Sequence, residues 1–163
     1  MQRTNLTAER LRELLDYDPE TGAFTWRVFV KGCRGKGTIA GFKRADGYIV
    51  IRVDKVSYLA HRLAWLFVTG AWPKDMIDHA DRDTGNNAWG NLRAASRSQN
   101  MANQRTRARL KGVSYSARDK RWFGRIMASG TVYSSGYMTC PAAAHLWYVV
   151  EANIRFGEFA RAA

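Results

Sequence analysis

Cysteine is scarce in this chain, and long apolar runs are missing. Cys33 and Cys140 are the only cysteines, and they lie far apart in the sequence. Disulfide frameworks and structural zinc sites need several closely spaced ligands, so both are excluded and free thiols are expected. No apolar run approaches the roughly 18 residues of a membrane helix, and the first residues carry no apolar signal core. We therefore expect no membrane association and a cytoplasmic location, in a bacterial or phage-infected cell.

Acidic residues are few relative to basic ones. Lys and Arg number 26 and Asp and Glu number 14, giving a net charge of 26 − 14 = +12. Residues 1–96 carry 15 basic and 11 acidic side chains (+4), whereas residues 97–163 carry 11 and 3 (+8). The 46% apolar content is that of a folded protein. Such an excess of positive charge points to a polyanionic partner, bound mainly by the C-terminal part.

The first 45 residues predict a helix and a strand. Leu6, Leu11, Leu14 and Leu15 fall on one side of a helix that the turn at residues 18–22 ends. From Phe24 to Val30, apolar and polar residues alternate, which predicts a strand with one better-buried face. We expect this segment to pack against the domain that follows.

The next segment predicts a hairpin followed by a helix. Residues 48–53 and 56–59 are β-rich, and a tight turn at residues 54–55 separates them. A helix runs from His61 to Gly70, a suitable C′ residue. We interpret His61 as a packed or phosphate-contacting residue, because no second metal ligand lies one helical turn away.

Polar residues that can carry chemistry follow the next short strand. Asp78 and His79 stand at its end, before a loop rich in Asp, Asn and Gly. A second strand, residues 91–95, leads to Ser96-Arg-Ser-Gln99, which has the form of a capping box and opens a helix bearing Asn100. This order of elements can bring polar side chains from strand and helix to one point. Within the loop, we interpret Asp81, Asp83 and Asn87 as turn-forming residues.

This arrangement resembles the HNH family of nucleases, specifically the phage and intron-homing type, over residues 46–104. The upstream runs Tyr-Asp-Pro-Glu-Thr-Gly (17–22) and Ala-His-Arg-Leu-Ala-Trp (60–65) are similar to phage members of the family. The resemblance implies an α+β fold with a ββα-metal (HNH or His-Me finger) core. It also implies an enzyme that hydrolyses DNA phosphodiester bonds.

The resemblance assigns roles to four residues. Asp78 is the metal-binding carboxylate, and Asn100 adds a neutral oxygen from the helix. His79 is the general base that activates water, a task that suits imidazole. Asn91 orients His79 and holds the loop. A single divalent ion would stabilise the reacting phosphate, leaving 5′-phosphate and 3′-hydroxyl ends.

The chain also departs from the family pattern. It has no Cys-x-x-Cys zinc clamps, and Asn100 stands where other members have a second histidine. We therefore expect no structural zinc and a weak site for one Mg²⁺ or Mn²⁺ ion, of which Mn²⁺ better tolerates irregular coordination.

A basic linker follows the predicted nuclease segment. Residues 105–111 carry Arg105, Arg107, Arg109 and Lys111 at every second position, without an acidic residue. Either as a helix or as an extended chain, this segment would neutralise phosphates and add salt-sensitive affinity.

The C-terminal residues predict a three-stranded meander and a helix. Strands are expected at 113–115, 122–128 and 132–138, followed by a helix from Pro141 to about Phe156. Gly112-Val113, Lys120-Arg121-Trp122, Gly136-Tyr137 and Gly157-Glu-Phe-Ala160 resemble the APETALA-type (ethylene-response-factor) DNA-binding domain. That family lays its exposed sheet face in the major groove. Strand parity would turn Trp122, Gly124 and Ile126 toward the helix, and Phe123, Arg125 and Met127 toward DNA. Ser114 and Ser134 replace usual contact residues, so the family's sequence preference does not carry over.

These observations predict a metal-dependent HNH endonuclease acting on double-stranded DNA, as a monomer or weak homodimer. Its segments would be 1–45 (an N-terminal support), 46–104 (nuclease), 105–111 (linker) and 112–163 (DNA binding). The alternatives are a DNA-binding regulator with an inactive nuclease centre, and an RNA-directed or structural role. The predicted DNA-contacting residues are Arg62, Arg93, Arg97, Arg105, Arg107, Arg109, Arg118, Arg121, Phe123 and Arg125.

Overall fold

The computed structural model describes residues 6–29, 35–103 and 110–160. The chain forms two compact units, residues 1–94 and 95–163. The first holds α1 (Ala8–Leu14), β1 (Leu15–Tyr17), β2 (Phe24–Trp26), β3 (Phe42–Lys43), β4 (Ile49–Val53), β5 (Val56–Leu59), α2 (Ala60–Thr69), β6 (Met76–His79), a 3₁₀ turn (Trp89–Asn91) and most of β7 (Leu92–Ala95). The second holds α3 (Arg97–Asn103), β8 (Val113–Ser116), β9 (Arg121–Ala128), β10 (Thr131–Ser134), α4 (Pro141–Phe156) and a 3₁₀ turn (Gly157–Phe159). Small sheets and helices of this kind are compatible with the predicted α+β class. Among the described residues, no helix is both long and apolar enough to cross a bilayer.

The N-terminal segment differs in detail from its sequence pattern. Thr7 caps α1 by accepting a hydrogen bond from the Arg10 amide at 3.2 Å. The helix ends at Leu14, and Leu15 begins β1, which pairs antiparallel with β2. The predicted strand at 24–30 is limited to Phe24–Trp26, and Phe29 is 78% exposed. The apolar pattern alone did not separate the last helical turn from a strand, because Leu15 is buried in either structure.

The hairpin and the following helix are confirmed. Strands β3, β4 and β5 form one antiparallel sheet, and the β4–β5 turn places Asp54 and Lys55 at positive φ (46° and 69°). Helix α2 ends at Gly70, which is left-handed (φ 77°) and donates its amide to the Leu66 carbonyl at 3.0 Å.

One hydrophobic core serves the whole first unit. Its fully buried members Leu11, Leu15, Ile51, Leu63 and Leu66 come from both sides of residue 45, and the core extends to Leu92. The first 45 residues therefore share a core with the strands and helix that follow. The compact unit ends at Ala94, within the segment 46–104 assigned to the nuclease, because Ala95 and Ala102 are buried in the core of the second unit.

The second unit is a three-stranded antiparallel sheet with a helix packed against it. Its strand order is β10-β9-β8, as a meander requires. Cys140 precedes α4 as its N-cap, with Pro141 as the first helical residue. The predicted parity of β9 is confirmed, since Gly124 and Ile126 are buried while Arg125 and Met127 are exposed. The thiol of Cys140 is free, whereas Cys33 lies outside the described residues.

Close packing of α4 on the sheet depends on Gly124. A Cβ atom there would lie 2.3 Å from Cε3 of Trp147 and 2.8 Å from the Ala144 carbonyl oxygen. Backbone and a large ring cannot both move away, so only glycine fits.

We predict that Gly124→Ala destabilises the second unit by about 1–3 kcal/mol, because the added methyl group forces α4 from the sheet. Native-state hydrogen exchange of the β9 amides measures this effect. Gly136→Ala is the matched control, since no atom lies within 4 Å of the added Cβ and its φ is not in the left-handed region. Equal protection in both variants would contradict the packing argument.

Candidate active site

The predicted metal ligand Asp78 and the predicted general base His79 lie at the end of β6, inside the first unit. Asp78 is 5% exposed and His79 is 4% exposed. Polar groups are rarely buried to this degree without partners. The site is therefore defined by the groups that surround these two side chains.

The loop after β6 is held by a network centred on Asn91. The Asn91 side chain donates to Oδ1 of Asp81 at 2.9 Å and to the Asn86 carbonyl at 2.9 Å, and it accepts from the Asp81 amide at 3.0 Å. Asn86 donates to the other oxygen of Asp81 at 2.7 Å. Burial opposes ionisation of Asp81, but its hydrogen bonds from Asn86, the Asp83 amide and Asn91 together lower its pKa.

Asp81 and Asp83 also form turns with their own backbone, as predicted. The Asp83 amide donates to Asp81 at 2.8 Å, and the Gly85 amide donates to Asp83 at 2.9 Å. These carboxylates therefore shape the loop.

Asn87 contacts the His79 ring through its side-chain oxygen. Nε2 of His79 lies 3.4 Å from Oδ1 of Asn87, which is 1% exposed. The Asn87 amide nitrogen donates to the Gly85 carbonyl at 3.1 Å, so its oxygen is the end directed at His79. The sequence pattern predicts only a turn-forming role for Asn87. Its neighbours in sequence are similarly polar, and nothing in the pattern distinguished it from them.

Asp78 forms a buried ion pair with Arg93 on β7. Nε and Nη2 of Arg93 lie 3.0 Å and 2.9 Å from Oδ2 of Asp78, and the two side chains are 16% and 6% exposed. Arg93 is one of the residues predicted to contact DNA. The structure places its guanidinium on the carboxylate predicted to bind metal.

Two further rings surround His79. The rings of His61 and His79 meet edge to face, with centroids 5.1 Å apart and an interplanar angle of 84°. The Tyr48 ring lies 5.4 Å from His61 and 6.1 Å from His79. Burial, then the positive charges possible on His79 and Arg62, lower the pKa of His61 to about 3. Burial and then the negative charges of Asp46 and Asp78 raise the pKa of Tyr48.

The N-terminal segment also contacts the backbone of this loop. The Tyr17 hydroxyl donates to the Asn87 carbonyl at 2.7 Å, and the Trp89 amide donates to the Pro19 carbonyl at 2.8 Å. Gly22 (φ +74°) approaches so closely that a Cβ there would lie 2.2 Å from the Asn87 carbonyl carbon. Part of the loop is therefore positioned by residues that precede the predicted nuclease segment.

The available oxygen donors match a hard divalent cation in type. No cluster of three or more His, Cys, Asp or Glu side chains suited to a metal occurs in the part of the chain that the structure describes. A site with one carboxylate fits an ion such as Mg²⁺, which keeps most of its ligands as water and phosphate oxygens. Asn100, the second predicted ligand, lies on α3 in the second unit, and its role stays a prediction.

The outer face of the second unit's sheet carries three of the predicted DNA contacts. Arg121, Phe123 and Arg125 alternate on this face of β9, and Arg118 in the preceding turn is 93% exposed. Ser114 pairs with Phe123, and Ser134 with Arg125, which places both serines on the same face.

The remaining predicted contacts are placed as follows. Arg97 is exposed on α3. Arg62 is partly buried, with its guanidinium 6.0 Å from the Trp72 ring and 3.5 Å from the Pro73 carbonyl. Arg105, Arg107 and Arg109 lie outside the described residues.

The predicted capping box at the start of α3 is confirmed in both directions. The Ser96 amide donates to the Gln99 side chain at 2.8 Å, and the Gln99 amide donates to the Ser96 hydroxyl at 3.3 Å.

Comparison with known proteins adds one finding. Residues 58–102 match the sequence model of the HNH endonuclease family, a segment that begins in β5 and ends in α3. No curated protein and no solved structure shows significant similarity to the chain. The family match supports an HNH nuclease, and it covers Asp78, His79, Asn87, Asn91 and Asn100.

We predict that Tyr17→Phe destabilises the first unit by about 1 kcal/mol at neutral pH, because a buried hydrogen bond to the loop is lost. Burial raises the pKa of Tyr17 to about 12, above the value near 10 of an unfolded tyrosine. Between these values the folded state binds more protons, so wild-type stability falls as pH rises from about 10 to about 12. Denaturant unfolding at neutral and alkaline pH measures both effects. The variant should lose less stability over the alkaline range, and an identical loss would contradict this assignment.

Proposed function

We propose that this protein is a metal-dependent DNA endonuclease of the HNH class, with His79 as general base. The observation that carries the proposal is the buried Asp78–His79 pair at the end of β6, with Asn87 against the His79 ring, inside the segment that matches the HNH endonuclease family. Nothing in a purely structural role requires a histidine held in this way beside a buried carboxylate.

The Asn87 contact supports a defined proton acceptor. An amide oxygen only accepts hydrogen bonds, so Oδ1 of Asn87 favours the His79 tautomer with its proton on Nε2. Nδ1 is then the basic nitrogen. In this mechanism Nδ1 takes a proton from the water that attacks phosphorus, and the bond to the 3′ oxygen breaks. The leaving oxygen takes a proton from solvent water, which gives a 5′-phosphate and a 3′-hydroxyl.

Asp78 is the residue that we propose to hold the divalent ion. When bound, such an ion supplies positive charge that stabilises the phosphate and the leaving oxygen. In the structure Asp78 is neutralised by Arg93. As a cation beside the reacting phosphate, Arg93 can also contact the phosphate oxygens. Asn100 remains the proposed second ligand, and β6, β7 and α3 the proposed ββα-metal core.

The second unit is proposed to bind double-stranded DNA through its outer sheet face. Arginines on this face can reach phosphates or guanine edges, and Phe123 and Met127 add apolar contacts. Its APETALA-type character and the phage or homing type of the enzyme rest on the sequence resemblance. The serines at 114 and 134 leave the target sequence to be determined by experiment.

We predict that purified protein nicks or linearises supercoiled plasmid with Mg²⁺ or Mn²⁺ and that EDTA abolishes the reaction. His79→Ala should lower the rate by about 100-fold or more, because the general base is lost. Asp78→Asn should also be inactive, whereas Asp75→Asn, the same charge change at an exposed position three residues earlier, should cleave normally. Gel electrophoresis of the plasmid forms measures all four proteins.

Two outcomes would contradict the nuclease proposal. Cleavage that survives in His79→Ala would show that the activity belongs to another site or protein. A wild-type protein that binds DNA tightly and in a salt-sensitive manner, but cleaves neither plasmid nor genomic DNA with either metal, would favour the non-cleaving DNA-binding alternative.

We predict that Arg125→Gln lowers DNA affinity by roughly 5- to 100-fold, because it removes a cation from the binding face. Fluorescence anisotropy at several salt concentrations measures the affinity and its salt dependence. Arg10→Gln removes the same charge from a guanidinium that is paired with Asp54 and Glu13 in the first unit, and it should bind as wild type. Equal losses in both variants would indicate a general charge effect and contradict a contact at Arg125.

A further inference from the structure

We propose that His61 is a positioning residue, which holds the His79 imidazole in the orientation needed for proton transfer. This inference rests on the proposed function and adds a third element, helix α2, to the site. His61 is not adjacent in sequence to β6 or to the loop that follows it. The packing of α2 brings its ring against His79.

The geometry around His79 leaves its ring little rotational freedom. Asn87 faces Nε2, the His61 ring lies at 84° to the imidazole plane with a centroid distance of 5.1 Å, and Tyr48 lies 6.1 Å away. Edge-to-face contacts between aromatic rings are favourable at these separations and depend on orientation. His61 itself is 6% exposed and lies in the first turn of α2, so its own ring is fixed by the core.

The electrostatics of this packing agree with the role. A general base becomes positively charged when it takes the proton, so a second cation in contact with it would oppose the reaction. Burial keeps the pKa of His61 far below neutrality, and burial likewise raises that of Tyr48. The two rings against His79 are therefore neutral at physiological pH. The charged groups near this cluster are Asp46, Arg62, Asp78 and Asp81.

Core packing alone does not explain why a histidine, and not an apolar residue, occupies this buried position. The other buried residues of α2 are Ala60, Leu63, Ala64 and Leu66, all apolar. Burying an imidazole costs free energy that a hydrocarbon side chain does not. The one buried polar residue of the helix is also the one whose ring meets the proposed base.

The test compares His61→Ala with His61→Phe in steady-state cleavage of a DNA substrate. Removing the ring should lower kcat by roughly 10- to 100-fold, since small displacements of a catalytic group have effects of this size. KM should change less than about threefold, because no DNA-contacting group is altered. His61→Phe retains a ring that can pack edge to face, and it should restore kcat to within about fivefold of wild type.

A second measurement does not depend on activity. The chain has three histidines, so side-chain NMR of ¹⁵N-histidine-labelled protein resolves each ring and its tautomer. We expect one tautomer for His79 in the wild type and in His61→Phe, and averaged tautomers in His61→Ala. His145→Ala is the matched control; its ring stacks on Tyr148 in the second unit, and its removal should leave the His79 signals unchanged.

The outcomes separate this inference from the proposed function. If the wild type does not cleave DNA but His61→Ala still shows averaged His79 tautomers, the nuclease proposal fails and the positioning role stands. If His61→Ala is folded and keeps wild-type kcat and a single His79 tautomer, the positioning role is wrong. A folded His61→Phe as inactive as His61→Ala would also overturn it, because ring packing would then not be what His61 contributes.

Discussion

The proposed role of His79 as general base requires that its ring be held still, and the loop between β6 and β7 meets that requirement. Trp89 anchors the end of this loop against the core, and polar groups hold the rest of it. Asn91 joins Asp81 to the Asn86 carbonyl, and the carboxylates of Asp81 and Asp83 close the turns between them. The loop thereby directs Oδ1 of Asn87 at Nε2 of His79.

That polar loop is stable because the first unit is built around it. Gly22 leaves room for the backbone at Asn87, and Tyr17 and Pro19 form hydrogen bonds with the loop backbone. These residues belong to the N-terminal segment, which shares its hydrophobic core with α2 and β4. The N-terminal 45 residues are therefore part of the site's support.

Charge is distributed differently in the two units, and this fits the two tasks proposed for them. In the first unit, the carboxylate proposed to bind metal is buried with an arginine, and the rings beside the proposed base are neutral. In the second unit, arginines stand exposed on a sheet face whose opposite side packs on α4. Interior neutrality suits proton transfer at one nitrogen, whereas exposed cations suit a polyanion whose sequence is read at its surface.

Local features whose signals are short-range can be read from the residues alone. The β4–β5 turn, the end of α2 at Gly70, the Ser96–Gln99 cap and the alternation along β9 all follow from residues a few positions apart, and all are confirmed. Asp78 and His79 were found because they are adjacent and end a strand. The groups that contact them depend on tertiary packing. Arg93 forms an ion pair with Asp78, and the side chains of Asn87 and His61 contact the His79 ring. The Tyr17 hydroxyl donates to the backbone of the loop. The same holds for β1 and β2. Leu15 lies in β1 and β2 ends at Trp26, because the two short strands are defined by pairing with each other and not by the propensities of their residues. Hydrogen bonds and ring contacts between elements depend on how cores pack, and a linear pattern carries no record of that packing.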